Sequence, residues 1–425
     1  MVPHLITALT GPINELEARI LESMPAIERW FRLEWMEHTP PFYTSVDVRN
    51  AGFKLAPIET QLFPHEFDKL APEMLPLAVQ AAMAAIEKIC PEAKNLLLIP
   101  GPCTGAPEHA QNLQRLIRVF NQAGLNVRLG ALPQHGATPG PLALPEGGSL
   151  MLEPLVRTRG RLGLKDFDPC TILLNNDLSG GVPPELAGLH EQYLLPPLHA
   201  SWGVRRRTIH FRSYEEVAKK FAKLLGMDPW LIHPLVAGTG PVDLAQMGVL
   251  EAVQSQIDAV LVKVRRKYKE YGINEKPYVV VRSDASAGLG ELLVVRDPKD
   301  LEQAGERLRD GLAGQGRGGL PELLIQEGVP SHERVNQAVA EPVVTMIDRY
   351  VIGGFYRLQP EPGREGSGGI VPLAFAEAQQ LPRPGEKPGA SAPNRFYMYG
   401  VLARLAMLAA SYELEATDPN AEIDE

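Results

Sequence analysis

Residues 278–357 alternate short apolar runs with glycine-containing turns, and this pattern limits the possible folds of the chain more than any other. The segment begins with apolar runs at residues 278–284 and 291–295, separated by a loop of small residues that includes Gly288 and Gly290. Two apolar runs joined by such a loop predict a β-hairpin. Because glycine lets the backbone approach a ligand closely, this hairpin can fold over phosphate groups.

Two later parts of the same segment carry polar residues beside apolar strands. Residues 322–328 predict a strand whose end contains Gln326 and Glu327, a pair that can contact a purine and a ribose. Residues 347–357 predict a hairpin that turns at Gly353–Gly354, with charged residues on both arms to bind phosphate and metal. The order of these parts indicates an ATP-binding cleft of the ATP-grasp kind, and therefore a protein that uses ATP to activate a substrate.

Composition favours a soluble enzyme. The chain has 425 residues, of which 44% are hydrophobic and 22% are charged, as in typical globular proteins. This length favours roughly two to three domains. No apolar run reaches the roughly 18–20 residues of a membrane span, and the first residues lack the pattern of a secretory signal. We therefore expect a cytoplasmic enzyme that binds no membrane, and the net charge of −9 disfavours nucleic-acid binding.

The three cysteines and the basic clusters give weaker signals. Cys90, Cys103 and Cys170 show no Cys-x-x-Cys spacing, which argues against a zinc site and against a disulfide framework. We expect these thiols to be buried or incidental. Residues 263–269 fit the exposed basic face of a helix, whereas Arg205–Arg207 lies between aromatic residues and can hold an anionic group.

The N-terminal half contains the pattern of a parallel sheet. Residues 95–100 predict a buried strand, residues 108–123 a helix and residues 126–130 a second strand, which together form a βαβ unit. The turn at residues 101–105 lacks the glycine spacing of a dinucleotide fingerprint, so we exclude NAD as a ligand.

Two polar segments are candidate substrate sites. Residues 45–64 mix charged and amide residues with apolar ones in neither a helical nor an alternating pattern. They form either a loop that lines the substrate or an irregular, hydrogen-bonded surface segment. Asn175, Asn176 and Asp177 follow the apolar run at residues 170–174, at the end of a strand where open α/β sheets bind ligands. The alternative for these three residues is a capped turn.

Helical periodicity appears in three further places. It predicts a helix over residues 13–37, interrupted at Pro25, and a long helix over residues 243–271. A third helix is predicted over residues 213–225, with Ser213 as its N-cap.

These patterns predict an α/β protein with two domains and a tail. An N-terminal parallel-sheet domain, of the kind that precedes an ATP-grasp domain, covers residues 1–240 and binds the substrate. An ATP-grasp-like α+β domain covers residues 241–417 and binds the nucleotide. The acidic residues 418–425 are expected to be disordered. A homodimer is one expected assembly, because enzymes of this size often pair.

With these parts identified, the chain closely resembles the proteobacterial glutamate-cysteine ligase family of the Acidithiobacillus type. The resemblance runs nearly end to end, and its segments are residues 7–12, 45–64, 84–91, 173–178, 205–206, 340–344, 346–351, 353–357 and 393–397. It implies the ATP-dependent formation of γ-glutamylcysteine, the first step toward glutathione, on an ATP-grasp-like scaffold.

The resemblance also implies a mechanism with ATP and Mg²⁺. ATP phosphorylates the γ-carboxylate of glutamate, and the amine of cysteine then attacks the acyl phosphate. Little covalent chemistry is left to the protein, so catalysis depends on positioning and on compensation of charge by Mg²⁺ and cationic side chains.

Residues with roles implied by the resemblance form four groups. The catalytic cations are Arg282 and Arg357. The nucleotide contacts are Arg282, Gly288, Gly290, Gln326 and Glu327. The substrate contacts are Arg49, Asn50, Lys54, Asn175, Asn176, Asp177, Arg205 and Arg206. The metal ligands are Glu341, Asp348 and Asn394. Asp348 has a structural alternative, an ion pair with Arg349 or another neighbour.

The chain departs from the family pattern in its polar loops. Arg282 replaces the phosphate-binding lysine of the family, and a planar guanidinium is not equivalent to a compact ammonium group. Residues 100–106 lack an acid, a histidine and a basic residue of the family. Residues 311–319 and 363–369 are glycine-rich where the family has basic or polar residues.

Two hypotheses from different functional classes follow. The first, which we favour, is an active carboxylate-amine ligase that forms γ-glutamylcysteine or a related product. The second is a non-catalytic paralogue that keeps the fold and nucleotide binding and acts as a partner or regulator of an active ligase. An assay of phosphate release and dipeptide formation distinguishes the two.

Overall fold

A computed structural model gives the fold of the chain. It describes residues 12–102, 107–133, 136–243, 249–285, 293–297, 300, 322–335, 338–359, 370–372 and 395–421. Within these residues, no helix combines the length and the hydropathy of a membrane span. Four residues singled out in the sequence lie outside the described ranges, namely Gly288, Gly290, Asn394 and Cys103, as do the glycine-rich runs 311–319 and 363–369 and the end of the acidic tail.

The helices of the described residues are α1 (Pro12–Glu22), α2 (Met24–Glu37), α3 (Leu75–Ile89), α4 (Pro107–Gln122), α5 (Arg207–Leu225), α6 (Val249–Glu270) and α7 (Arg395–Thr417). Short 3-10 helices span Phe67–Lys69, Pro72–Met74, Pro184–Leu186, Leu198–Ala200 and Pro229–Ile232. The predicted helix over residues 13–37 is thus two helices, which separate at Ser23. The predicted helix over residues 243–271 is represented by α6.

The strands are β1 (Tyr43–Asn50), β2 (Leu55–Gln61), β3 (Asn95–Pro100), β4 (Asn126–Ala131), β5 (Gly140–Ala143), β6 (Ser149–Pro154), β7 (Val156–Thr158), β8 (Arg161–Gly163) and β9 (Thr171–Asn175). They continue with β10 (Tyr193–Leu195), β11 (Val236–Pro241), β12 (Val279–Ser283), β13 (Leu293–Val295), β14 (Glu322–Glu327), β15 (Arg334–Val335), β16 (Ala338–Ile347), β17 (Tyr350–Leu358) and β18 (Ile370–Pro372).

Most of these strands form three sheets, which gives a mixed α/β fold as predicted. Sheet I is antiparallel in the order β18-β17-β16-β1-β2, with β15 paired to β16. Sheet II has the order β10-β9-β3-β4-β6-β5 and is parallel except at β5. Its β3–β4 pair confirms the βαβ unit predicted from the sequence. Sheet III is antiparallel in the order β11-β14-β12-β13, and β7 and β8 form a separate ribbon.

Each sheet buries an apolar face against helices. Helices α1, α2, α5 and α7 pack on sheet I. Helices α3 and α4 pack on sheet II, and α6 packs on sheet III. Residues 396–411 of α7 are nearly all buried, because this helix is apolar on almost every side. On the opposite face of sheet I, Tyr43, Ile347 and Ile352 pack against α3, and the rest of that face carries polar side chains.

The segment at residues 45–64 is mostly the hairpin of β1 and β2. It is neither a loop nor an irregular surface segment, so both structures predicted for it were wrong. Every position of β1 is buried or half-buried, including the charged residues Asp47 and Arg49, so the strand has no fully exposed polar side. Gly52, with φ +75°, lies in the turn. A Cβ atom there would lie 2.9 Å from Nδ1 of His332, so this turn requires glycine.

Helix α5 begins at Arg207 and not at Ser213, the predicted N-cap. Asp284, distant in sequence, caps it instead. The carboxylate of Asp284 accepts hydrogen bonds from the backbone N–H of Thr208 at 2.8 Å and from the Thr208 hydroxyl at 2.7 Å. A local sequence pattern cannot show a cap that comes from another strand.

The hairpin at residues 347–357 turns at Asp348–Arg349 and not at Gly353–Gly354. Asp348 adopts a left-handed conformation at φ 48° and donates its backbone N–H to the carbonyl of Phe42 at 2.8 Å. Gly354 lies inside β17, where an added Cβ atom would collide with the carbonyl of Val343. Close packing of neighbouring strands, and not a turn, explains this glycine.

Two sheets join strands from both sides of the predicted domain boundary at residue 240. In sheet I, β1 of the N-terminal half pairs with β16. In sheet III, β11 pairs with β14. The two halves of the chain are therefore interleaved, and the division into residues 1–240 and 241–417 stays a prediction.

Candidate functional site

One face of sheet I carries charged side chains and forms the candidate site. Val46 and Val344 pack against the helices, so the adjacent residues Asp47 and Val343 lie on the opposite face. Neighbouring strands add charged residues to that face, since Asp47 is opposite Glu59 and Glu341 is opposite Arg357. We call Asp47, Arg49, Glu59, Glu341 and Arg357 the polar floor.

Arg357 lies between two carboxylates. Its Nη1 is 2.5 Å from Oδ2 of Asp47, and its Nη2 is 3.1 Å from Oε2 of Glu66. The charge of Asp47 raises the pKa of Arg357, so the guanidinium stays protonated. Burial disfavours the ionised form of Glu66, but the hydrogen bond and charge of His65 and the charge of Arg357 lower the pKa of Glu66 to about 2. Arg357 and Glu66 are therefore both charged at neutral pH.

Glu341 is a carboxyl group of the floor whose pKa is raised above the usual value. Its Oε1 lies 3.0 Å from Nε of Arg49 and accepts a hydrogen bond of 2.5 Å from Nε2 of Gln359. Burial raises the pKa of Glu341, although the charge of Arg49 opposes this shift. A bound cation would stabilise its ionised form.

Glu59 bridges two arginines from different elements. Its Oε2 lies 2.8 Å from Nε of Arg207 on α5 and 2.6 Å from Nη2 of Arg282 on β12. Burial disfavours ionisation of Glu59, but the charges of Arg207 and Arg282 outweigh this and lower its pKa to about 2. Because Glu59 is the register partner of Asp47, this trio continues the Arg357 cluster along the same face.

A bulge in β2 fixes the position of Arg282. Ile58 is the extra residue between the Asp47 and Val48 pairings, and its carbonyl accepts a hydrogen bond of 2.8 Å from Nη1 of Arg282. The same Nη1 lies 3.3 Å from Oε1 of Gln326 on β14. Sheets I and III therefore meet at Arg282.

Arg207 was predicted only as part of the Arg205–Arg207 cluster, which can hold an anionic group, and not as an individual site residue. It is 2% exposed, lies over the ring of Trp202 at 4.6 Å and donates from Nη1 to the carbonyl of Ser283 at 2.6 Å. Nη2 of Arg207 and Nε of Arg282 are buried without a hydrogen-bond partner. Unpaired buried donors are rare in proteins, so these N–H groups fit a phosphate or carboxylate of a ligand.

Comparison with known proteins identifies the family. A family model described as glutamate-cysteine ligase matches residues 17–414. The chain belongs to the glutamate-cysteine ligase family. It is accordingly a ligase, and its fold matches the crystal structure of a "Putative gamma-glutamylcysteine synthetase" from Methylobacillus flagellatus KT. That match has a TM-score of 0.86 and 45% sequence identity, and it covers 98% of this chain and 100% of the other. Comparison with curated proteins gave no match.

Two of the predicted substrate contacts of this glutamate-cysteine ligase lie beside Arg207. Arg205 makes a bidentate ion pair with Glu413 of α7, at 2.7 and 3.0 Å, and donates to the carbonyl of Thr60 at 2.6 Å. Arg206 is more exposed and pairs with Glu322 at 2.6 Å. Of the three consecutive arginines, Arg207 alone contacts Glu59. The basic cluster was noted in the sequence, but helix geometry was needed to show which member joins the site.

Lys54 and Glu327 form a buried pair. Nζ of Lys54 lies 3.0 Å from Oε2 of Glu327 and donates to the carbonyl of His233 at 2.9 Å. Trp230 Nε1 and the backbone N–H of Leu235 also donate to Glu327. Burial lowers the pKa of Lys54, although Glu327 opposes this shift. The predicted ligand contacts of these two residues remain predictions.

The predicted amide contacts also have protein partners. Asn50 donates from Nδ2 to Oε1 of Glu333 at 2.7 Å. Asn175, at the carboxyl end of β9, donates to the carbonyl of Pro64, near the Arg357 cluster. The side chains of Asn176 and Asp177 accept backbone N–H groups two residues ahead, at 3.0 and 2.9 Å. The capped turn that the sequence left open is therefore present.

The predicted metal ligands of the glutamate-cysteine ligase do not converge. Asp348 lies at the turn after β16, near Lys88 at 3.6 Å and Arg349 at 3.9 Å. Glu341 lies at the other end of that strand, roughly 20 Å away by the rise of an extended chain. One ion cannot contact both. Within the described ranges, no group of three or more His, Cys, Asp or Glu side chains could hold a metal.

Four further residues complete the site: sequence reasoning missed Glu66 and named Asp47, Glu59 and Arg207 only within larger segments. Asp47 and Glu59 lie in the polar segment at residues 45–64, so their composition was a signal. Their pairing was not visible, because it depends on the register of β1 and β2.

Proposed function

We propose that this ligase joins glutamate to cysteine with ATP through γ-glutamyl phosphate, and that the polar floor with Arg207 and Arg282 is its active site. The observation that supports this most strongly is the pair of buried guanidinium groups with unpaired N–H groups beside the ionised carboxylate of Glu59. Such a site can bind a phosphate group and a carboxylate next to each other.

The two guanidinium groups are held in position by the protein itself. Glu59 accepts one N–H from Arg207 and one from Arg282, and the carbonyls of Ser283 and Ile58 accept others. The remaining N–H groups are fixed in a buried environment, where hydrogen bonds to developing negative charge are strong. In the proposed reaction they bind oxygen atoms of the transferring phosphoryl group.

The carboxylates of the floor have a different role. We propose that Asp47 and Glu341 would hold Mg²⁺, since this ion is usually bound by one or two carboxylates together with phosphate oxygens. When bound, the magnesium complex of ATP supplies the phosphoryl group that makes the γ-carboxylate of glutamate reactive. Arg357 would orient an anionic group of the amino-acid substrate, because its charge is permanent and its side chain is 35% exposed beside the floor.

An ATP-grasp-like arrangement is part of the same proposal. Sheets I and III are the two walls of the proposed cleft, with Gln326 of sheet III as a nucleotide contact. Its support is the contact between the walls, where Nε2 of Gln326 lies 3.5 Å from the carbonyl of Ile58 and Arg282 lies nearby. We retain Gly288, Gly290 and Asn394 as proposed contacts of the nucleotide and metal.

The test is an assay of the pure protein with MgATP, glutamate and cysteine that follows phosphate release and dipeptide formation. Phosphate release that requires both amino acids, with equal dipeptide, is expected. The variant Arg207→Gln should lose this turnover, while Arg265→Gln on the exposed face of α6 should keep it. Binding of ATP without turnover by the native protein would favour the non-catalytic paralogue instead.

A further inference from the structure

Cys90 and Cys170 meet at the amino end of β9 in sheet II, although they are 80 residues apart in the sequence. Their Sγ atoms lie 2.6 Å from each other. Both are free thiols and both are partly exposed. Of the two alternatives predicted from the sequence, buried or incidental, the first was therefore wrong for this pair. The fold therefore creates a dithiol that no sequence spacing revealed.

Rigid elements hold the two sulfur atoms together. Cys90 ends α3, whose residues Ala85 and Ile86 are buried against sheet II. Cys170 immediately precedes β9, whose residue Leu173 belongs to the same core. Because both backbones are fixed by packing, the sulfur atoms can react with each other without a large movement of the chain.

The two thiols differ in their environment. Cys90 donates its S–H to the sulfur of Cys170, which also lies 3.4 Å from Oγ1 of Thr171. Burial and the hydrogen bond to Cys170 raise the pKa of Cys90 to about 11. This raised pKa makes Cys90 a poor nucleophile at neutral pH, so we assign the first attack to Cys170.

We propose that Cys90 and Cys170 form a modification site that low-molecular-weight disulfides convert into an intramolecular disulfide. The thiolate of Cys170 attacks one sulfur of the small disulfide and forms a mixed disulfide, and one small thiolate leaves and takes up the Cys170 proton. Cys90 then loses its proton and attacks the Cys170 sulfur, which expels the second small thiol. The protein loses two hydrogen atoms, and the small disulfide is reduced to two thiols.

The site is separate from the polar floor. Cys170 lies at the amino end of β9, whereas Asn175 lies at the carboxyl end of that strand and contacts Pro64 near the Arg357 cluster. Oxidation would therefore link α3 to β9 without occupying the proposed active site. In a reducing compartment the pair stays open, and it closes when small disulfides accumulate.

The test exposes the full-length protein to 2-hydroxyethyl disulfide, alkylates the remaining thiols and maps all three cysteines by mass spectrometry. The native protein and Cys103→Ser should both lose alkylation at Cys90 and Cys170 and gain a peptide that links them, and dithiothreitol should reverse this. Cys90→Ser should retain a stable mixed disulfide on Cys170. Cys170→Ser should react at Cys90 at least about tenfold more slowly.

Three outcomes would overturn the proposal. These are mixed disulfides on both cysteines without a linked peptide, a linked peptide that contains Cys103, and faster reaction at Cys90 than at Cys170. The linked peptide is sought in the native protein and in Cys103→Ser, so the result does not depend on how the pair variants fold. Since the readout is thiol chemistry, it is also independent of ligase activity.

Discussion

At the scale of single residues, Glu59 is the position on which the charge balance of the site depends. It is 8% exposed and lies between two guanidinium groups that are themselves nearly buried. Without Glu59, Arg207 and Arg282 would repel each other in an environment of low polarity. A buried carboxylate of this kind orients cations more than it adds net stability.

The stability of the protein should depend on the ionisation of Glu59. Its pKa falls from the usual 4.5 to about 2 on folding, so its contribution is present above pH 4.5 and is lost as the pH falls toward 2. A shift of this size corresponds to about 3 kcal/mol. Urea unfolding should therefore show that Glu59→Gln is less stable than the native protein at pH 6, with a much smaller difference at pH 3. An equal difference at both pH values would contradict this assignment.

Replacement of Arg282 by lysine should weaken ATP use. Arg282 contacts Ile58 and Gln326 through Nη1 and Glu59 through Nη2, and one ammonium group cannot satisfy all three. We expect kcat/KM for ATP to fall at least about tenfold, the effect of losing one hydrogen bond to a charged group.

The matched control for Arg282→Lys is Arg265→Lys, which changes an exposed arginine of α6. Steady-state kinetics at varied ATP should leave this control unchanged. An Arg282→Lys protein with native kcat/KM for ATP would remove Arg282 from the phosphate site.

The residues of the polar floor and its neighbours show how much of the site the sequence could predict. Arg282, Glu341 and Arg357 were predicted from the family resemblance, and all three lie at or beside the polar floor. The contact between Arg207 and Glu59 was not visible in the sequence, because it joins a helix to a strand that is far away in the chain. Side-chain composition indicates which residues can bind an anion, but tertiary contacts decide which of them do.

At the scale of secondary-structure elements, the start of α5 depends on a residue outside the helix. Asp284→Ala should remove the acceptor of both Thr208 donors and destabilise the protein by about 0.5–2 kcal/mol, the usual effect of losing an N-cap. Urea unfolding would measure this loss. Ser213→Ala, at the cap suggested by the sequence, should change stability by less than about 0.5 kcal/mol. The reverse order of the two effects would show that Asp284 is not the cap.

The elements that sequence predicted well are those with strong periodicity. The parallel pair β3 and β4 and the break between α1 and α2 follow from apolar spacing and from Pro25. The hairpin of β1 and β2 was missed because its charged residues are buried or half-buried and form ion pairs within the protein, so it has no fully exposed side. Strands that carry the proposed site therefore lack the alternation of buried and exposed residues that marks a half-buried strand.

At the scale of the whole molecule, the proposed site lies where the two halves of the chain cross. β1 and β2 come from the N-terminal half, but they form sheet I with β16 and β17 of the C-terminal half. Arg282 and Arg207 then connect sheet III and α5 to this sheet. A ligand that binds these groups would therefore strengthen contacts among several elements at once.

MgATP should raise the melting temperature of the whole protein. A ligand that binds only the folded state adds about 2.7 kcal/mol at a concentration 100 times its Kd, which corresponds to an upward shift of a few degrees in a protein of this size. Differential scanning calorimetry with MgATP, and with MgCl₂ alone, would measure the shift. Arg207→Lys should show a smaller shift than the native protein, because a lysine cannot present the second, unpaired N–H group of Arg207 while still contacting Glu59. Arg265→Lys should keep the full shift. If Arg207→Lys responds to MgATP as strongly as Arg265→Lys, the buried guanidinium pair does not bind the nucleotide, even if the enzyme is active.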